Sequence, residues 1–162
     1  MKHTIKQSLK LLVLPLMLAS CNLSGSDSSF KLYKTEPTSS GNFEKIAESA
    51  TSSNEVYITR FYTDNRSGKD VTLNNTDIKM KTADKEYTAL YFVNNTHSES
   101  SGSSSSYYIG EKSETKVVKP NEESEYSTSL GTITVAFEVN GDSSSSYDIT
   151  YKGTTLKLYG QN

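Results

Sequence analysis

An all-β body, an antiparallel β-sandwich of about seven to nine short strands, is the fold class that the sequence predicts. Three observations carry it. From Glu55 onward, β-branched and aromatic residues recur in short alternating runs separated by Gly, Asn, Asp and Pro. Those runs return every 8–12 residues or so, the spacing of sandwich strands. Beyond residue 50 no stretch keeps the 3.6-residue apolar period of a long helix. With 11 tyrosines and no tryptophan in 162 residues, the core must be filled by Tyr, Phe, Ile and Val, each tyrosine giving a large apolar body with a hydroxyl that reaches the surface.

The chain starts differently. Lys2, Lys6 and Lys10 precede the apolar run Leu11 to Leu18, broken only by Pro15 and ending in Ala19 and Ser20, which is the pattern of a secretory signal over residues 1–20. The run is about half of the ~20 residues that a membrane-spanning helix needs. The single cysteine, Cys21, follows Leu18-Ala19-Ser20 directly, and this tetrapeptide resembles the lipobox of bacterial lipoproteins. The resemblance implies cleavage between Ser20 and Cys21, diacylglyceration and palmitate on Cys21, and a mature chain held to the extracytoplasmic face of the cell membrane. Two acyl chains at one residue satisfy the usual requirement for stable anchoring. One cysteine also excludes an intramolecular disulfide. The released fragment, ending LVLPLMLAS, would be a hydrophobic peptide, and a signalling role for it is a further expectation.

Residues 21–42 read as the lipidated N-terminus and a flexible tether, rich in Ser, Gly and Asp and interrupted by Pro37. An edge strand at Phe30, Leu32 and Tyr33 is the alternative there. The folded body is expected over 43–162. Phe43, Ile46, Ala47 and Ala50 follow an i, i+3, i+4, i+7 spacing behind Asn42, which predicts a short helix near 43–50. Strands follow at Val56 to Thr63, Val71 to Leu73, Asp77 to Thr82, Glu86 to Val93 and Val117-Val118. Glu123 to Leu130 and Thr132 to Val139 are expected to pair around a tight bend at Gly131, and Tyr147 to Tyr151 with Thr154 to Tyr159 around Lys152-Gly153.

Four segments carry a family resemblance: Tyr57 to Asp70 (YITRFYTDNRSGKD), Asp77 to Tyr87 (DIKMKTADKEY), Val118 to Glu123 (VKPNEE) and Gly131 to Tyr151. Their order resembles an immunoglobulin-like family of bacterial secreted proteins and lipoproteins, domains of unknown function related to the immunoprotective extracellular antigen fold. The resemblance implies an immunoglobulin-like β-sandwich acting as a binding or accessory module, and it transfers no catalytic residue. The Cys pair and Trp of antibody domains are both missing.

The composition excludes several kinds of chemistry. Beyond residue 20 the chain has 14 Lys and Arg against 19 Asp and Glu, so nucleic acid is not an expected partner. There is no Gly-rich phosphate loop, hence no nucleotide. His97 is the only histidine after residue 20, which leaves too few ligands for zinc and a poor basis for a Ser-His-Asp triad in a serine-rich surrounding. Glu122, Glu123 and Glu125 read as a solvated turn edge. Asp64, Asn65 and Asp70 in one turn, or Asp142, offer oxygen ligands for weak calcium binding without the spacing of a known loop. The expectation is therefore no enzyme, no cofactor and no metal.

Recognition loops remain. Residues 94–110 (NNTHSESSGSSSSYYIG) and 140–147 (NGDSSSSY) combine Ser, Gly, Asn and Tyr, a composition suited to adaptable contact as well as to an inert spacer. Tyr107, Tyr108 and Tyr147 are the candidate binding residues, expected at the rim. An envelope protein or a cell-wall polymer is the expected partner class. A structural surface spacer and a proteinase-inhibitor-like sandwich are the alternative functions.

Overall fold

The computed structural model describes residues 29–38, 43–124, 127–139 and 146–161. The signal segment, Cys21, Asn42, Glu125 and Asp142 lie outside the described residues, as does all of the 140–147 loop before Ser146. Among the described residues the fold is an all-β, sandwich-like arrangement of antiparallel strands with one 3-10 turn at Asn75–Asp77 and no α-helix.

The strands are β1 (Phe30–Lys34), β2 (Glu44–Ala47), β3 (Glu55–Asn65), β4 (Val71–Asn74), β5 (Ile78–Lys81), β6 (Glu86–Thr88), β7 (Tyr91–Ser101) and β8 (Ser104–Ser113). The rest are β9 (Thr115–Val118), β10 (Glu122–Glu123), β11 (Thr128–Ser129), β12 (Gly131–Phe137), β13 (Asp148–Tyr151) and β14 (Thr154–Thr155). The large sheet has the order β1-β3-β12-β7-β8-β2. Facing it are the sheet β14-β13-β5-β6 and the pair β4-β9.

Burial follows the pleat. On β3, Phe61 and Thr63 point into the space between the sheets, joined by Leu32, Phe92, Ile133, Val135 and Phe137 from the large sheet and by Ile78, Met80, Ile149, Leu73 and Val118 from opposite. The other face of the large sheet has its own core. β2 pairs with β3 along Glu44↔Ile58 to Ala47↔Glu55 and meets β8 at Ala47↔Tyr108. The sheet therefore curls until β3, β12, β7, β8 and β2 form a closed ring. Inside that ring lie Ile46, Val56, Ile58, Tyr91, Val93, Ile109 and Ala136.

The run Glu86 to Val93, expected as one strand, serves both sheets. β6 pairs with β5 and β7 with β12. The switch takes two residues: the Ala89 amide donates to the Ile78 carbonyl at 3.0 Å, and the next amide, Leu90, donates to Ala136 at 2.8 Å. Asn75 Nδ2 donates to the carbonyls of both, at 2.9 and 2.6 Å. One side chain thus satisfies the two acceptors that the crossing leaves over.

Four further expectations change. The helix near 43–50 is the strand β2, because pairing with β3 buries Ile46 against Val56, and tertiary pairing outweighs a two-turn periodicity. The tether over 21–42 contains β1, whose Leu32 enters the main core, so the folded body begins no later than Phe30 rather than at 43. Glu123 to Leu130 does not pair with Thr132 to Val139. Instead β10 and β11 form their own small hairpin, and β12 inserts between β3 and β7. Gly131 is no bend but the first residue of β12, packed so close to β3 that a Cβ there would overlap Thr63 Oγ1. The β13–β14 hairpin stands as expected, with Lys152 (φ 47°) and Gly153 (φ 80°) both left-handed, the pair a type I′ turn requires.

Candidate functional site

The serine-rich stretch 94–110 is not a loop. It forms most of a long hairpin in which β7 and β8 pair from Phe92↔Ser113 to Ser101↔Ser104, with an irregularity at Asn95. Gly102 (φ 63°) opens the two-residue turn at the tip, where only a residue free to take positive φ fits a II′ geometry. Residues 94–107 are exposed without a break, so both faces of this segment stand clear of the body. From Asn95 to the tip the arm extends roughly 20 Å at strand rise. Serine hydroxyls tie it internally, Ser100 to Ser105 at 3.2 Å and Ser104 to the Ser101 carbonyl at 3.0 Å.

The three candidate tyrosines part company. Tyr107 is 58% exposed, on the arm opposite Ser98. Tyr108 is half-buried opposite His97, where the arm meets β2 at Ala47. Tyr147 is 7% exposed and belongs to the main core, its ring 5.2 Å from that of Phe43 in an edge-on contact. The rim position expected for Tyr147 is thus corrected: the apolar body of the ring is drawn into the gap between the sheets. His97 is exposed and 3.9 Å from Glu99.

The base of the arm is fixed by Tyr91. Its hydroxyl donates to Glu48 Oε1 at 2.6 Å, Lys112 Nζ lies 3.6 Å from the same oxygen, and the Lys112 ammonium stands 4.8 Å from the Tyr91 ring centre. Burial first, and the Glu48 carboxylate second, push the Tyr91 pKa well above its ordinary value.

The oxygen-rich turn has another task. Asp64 Oδ1 accepts from Arg66 Nε at 2.9 Å and from Asn121 Nδ2 at 2.6 Å, while fully buried Asn65 donates to the carbonyls of Lys69 and Val118 at 2.9 and 3.0 Å. These bonds lock the turn after β3 to the segment after β9. Among the described residues no group of three His, Cys, Asp or Glu side chains could hold a metal ion.

One surface escaped the sequence. Tyr33, Tyr62 and Thr132 are register partners across β1, β3 and β12 and so share a face, and Arg60↔Thr134 forms the next row. An open depression of about 650 Å³ lies here, lined in part by Thr35, Glu36, Glu44, Arg60, Tyr62 and Thr132. The chain end runs beside β1, with the Tyr159 amide donating to the Lys34 carbonyl at 3.2 Å, and sets the Tyr159 ring 5.5 Å from Tyr33 and 5.6 Å from Tyr62. No local pattern marks this surface, because four separate segments build it.

Compared with family models, curated proteins and solved structures, the chain finds no match.

Proposed function

We propose that the protein is a lipoprotein, anchored at Cys21 on the extracytoplasmic side of a bacterial membrane, that works as a binding module and not as an enzyme. The observation that carries the binding role is the β7–β8 arm. A hairpin with fourteen consecutive exposed residues, held in register to its tip and bearing an exposed aromatic, presents contact groups to a partner without having to order them first. Tyr107 is the anchor residue of that arm, with adaptable serine hydroxyls around it. The lipobox-like Leu18-Ala19-Ser20-Cys21 supports the anchoring, and the segment resemblance to immunoglobulin-like secreted modules agrees with the role.

Two measurements test the reading. Mass spectrometry of the membrane fraction should give an acylated N-terminus at Cys21, and Cys21→Ala should release the protein. Capture of envelope proteins or cell-wall polymers should fall with Tyr107→Ala and vanish when Ser98–Tyr107, the arm beyond the core residue Ile109, is replaced by a short turn. Undiminished capture by the shortened chain would remove the arm from the binding surface, and slowed turnover in a protease panel would favour the inhibitor alternative.

A further inference from the structure

We propose that the depression beside Tyr62 is a second binding site, distinct from the arm, and that its ligand is an uncharged oligosaccharide. Three properties meet there. First, aromatic surface: Tyr62 lines the depression, Tyr33 lies beside it across two strands, and Tyr159, 54% exposed, packs against both in T-shaped contacts at the margin. Rings of this kind offer a face to the C–H side of a sugar while their hydroxyls stay in water.

Second, unspent polar groups. Among the described residues no hydrogen bond or ion pair engages the Arg60 guanidinium, the Glu36 and Glu44 carboxylates, or the hydroxyls of Tyr33, Tyr62 and Tyr159. The Thr35 hydroxyl, by contrast, is held, donating to the Arg60 carbonyl at 3.3 Å. A sugar hydroxyl donates and accepts at once. It fits a rim that mixes a five-donor guanidinium with acceptor-only carboxylates better than a group of fixed polarity does. Arg60 adds a planar fork able to bridge adjacent hydroxyls. Among the residues that line the depression, the two carboxylates of Glu36 and Glu44 stand against the single cation of Arg60, which opposes phosphate, sulfate and acidic polysaccharides there.

Third, the shape has a structural cause. β1 pairs with β3 at Phe61–Asn65 and β2 pairs with it at Glu55–Ile58, on the same edge, so Thr59 and Arg60 face a gap between two strands. Beneath them the opposite face of the sheet holds Leu32, Phe61 and Ile133 in the main core, which makes the floor rigid. At about 650 Å³ the space is within the range of roughly 300–1,000 Å³ typical of small-ligand sites.

The test uses the full-length chain purified in a polyoxyethylene detergent, since a sugar-headed detergent would compete. Tyrosine fluorescence and calorimetry are followed during titration with chitotetraose, cellotetraose and maltotetraose, with polygalacturonate as the acidic control. Saturable binding of at least one neutral oligosaccharide is expected, weakened roughly tenfold or more by Tyr159→Ala and by Arg60→Met at unchanged melting temperature. Tyr62→Phe, which keeps the ring, should retain most of the affinity. Tyr107→Ala should leave it intact, which separates this site from the arm. Absence of binding to all three sugars, equal binding of polygalacturonate, or affinity unaltered by both Tyr159→Ala and Arg60→Met would overturn the proposal.

Discussion

Asn65 and Asn121 hold each other by reciprocal hydrogen bonds: the Asn65 amide donates to Asn121 Oδ1 at 2.9 Å, and the Asn121 amide donates to the Asn65 carbonyl at 2.8 Å. Asn65 Oδ1 also accepts from the Ser67 amide and hydroxyl, at 3.1 and 2.6 Å. Asn65→Ala would leave the buried Val118 carbonyl without this donor and would take from the Lys69 carbonyl one of its two, the other being the Ser67 hydroxyl. A loss of about 3 kcal/mol, or a fall of about 10 °C in melting temperature, is expected from calorimetry. Asn65→Asp, which keeps the acceptor but loses the donor beside Asp64, should be no better. A wild-type melting curve for Asn65→Ala would show the clamp to be dispensable.

Gly131→Ala should destabilise by about 1–3 kcal/mol, because its Cβ would overlap Thr63 Oγ1 on the neighbouring strand and a packed sheet cannot move aside. The double variant Gly131→Ala with Thr63→Ala removes the overlapping atom. Its measured cost should be smaller than the sum of the two single costs, and simple additivity would contradict the overlap.

Alkaline stability reports on Tyr91. Its folded pKa lies above the ordinary value of 10.0, so at high pH the folded state keeps a proton that the unfolded chain has lost. The stabilisation is fully present below pH ~10 and is lost as pH rises above that value. Melting measured from pH 9 to 11.5 should therefore decline in the wild type. Tyr91→Phe should start lower, having lost the bond to Glu48, and should decline less steeply. Parallel slopes would mean that Tyr91 is not the group that titrates.

Tyr107→Ala and Tyr147→Ala should separate cleanly in thermal unfolding. The first removes an exposed ring and should leave melting within about 0.5 kcal/mol of the parent. The second opens a cavity beside Phe43 in the main core and should cost about 3 kcal/mol. Equal losses would place both rings in packed surroundings.

Much of the sandwich is legible locally. β3, β5 and the β13–β14 hairpin show alternation ended by turn residues, and Lys152-Gly153 specifies its own turn. What failed was non-local or half-local. β2 is four residues whose Ile46 and Ala47 satisfy a helical spacing as well as a strand, and only β3 decides between them. β1 has one fully buried side chain, Leu32, which leaves little pattern in a serine-rich segment. The β7–β8 arm buries neither face beyond Val93 until Ile109, so it carries no alternation, and its one local sign is Gly102-Ser103. The surface around Tyr62 depends on strands brought together from positions 33, 62, 132 and 159, which no window along the chain spans.

The seam at Ala89 and Leu90 sets how the molecule comes apart. Adjacent amides are committed to opposite sheets, and Asn75 grips the carbonyls of both, so opening either sheet tears the strand that secures the other. Protection against amide exchange in β5 and in β12 should then be lost in one concerted event rather than in two successive waves. A protease arriving at the folded domain would find the tip of the arm, but no long-lived intermediate with one sheet peeled away and the other intact.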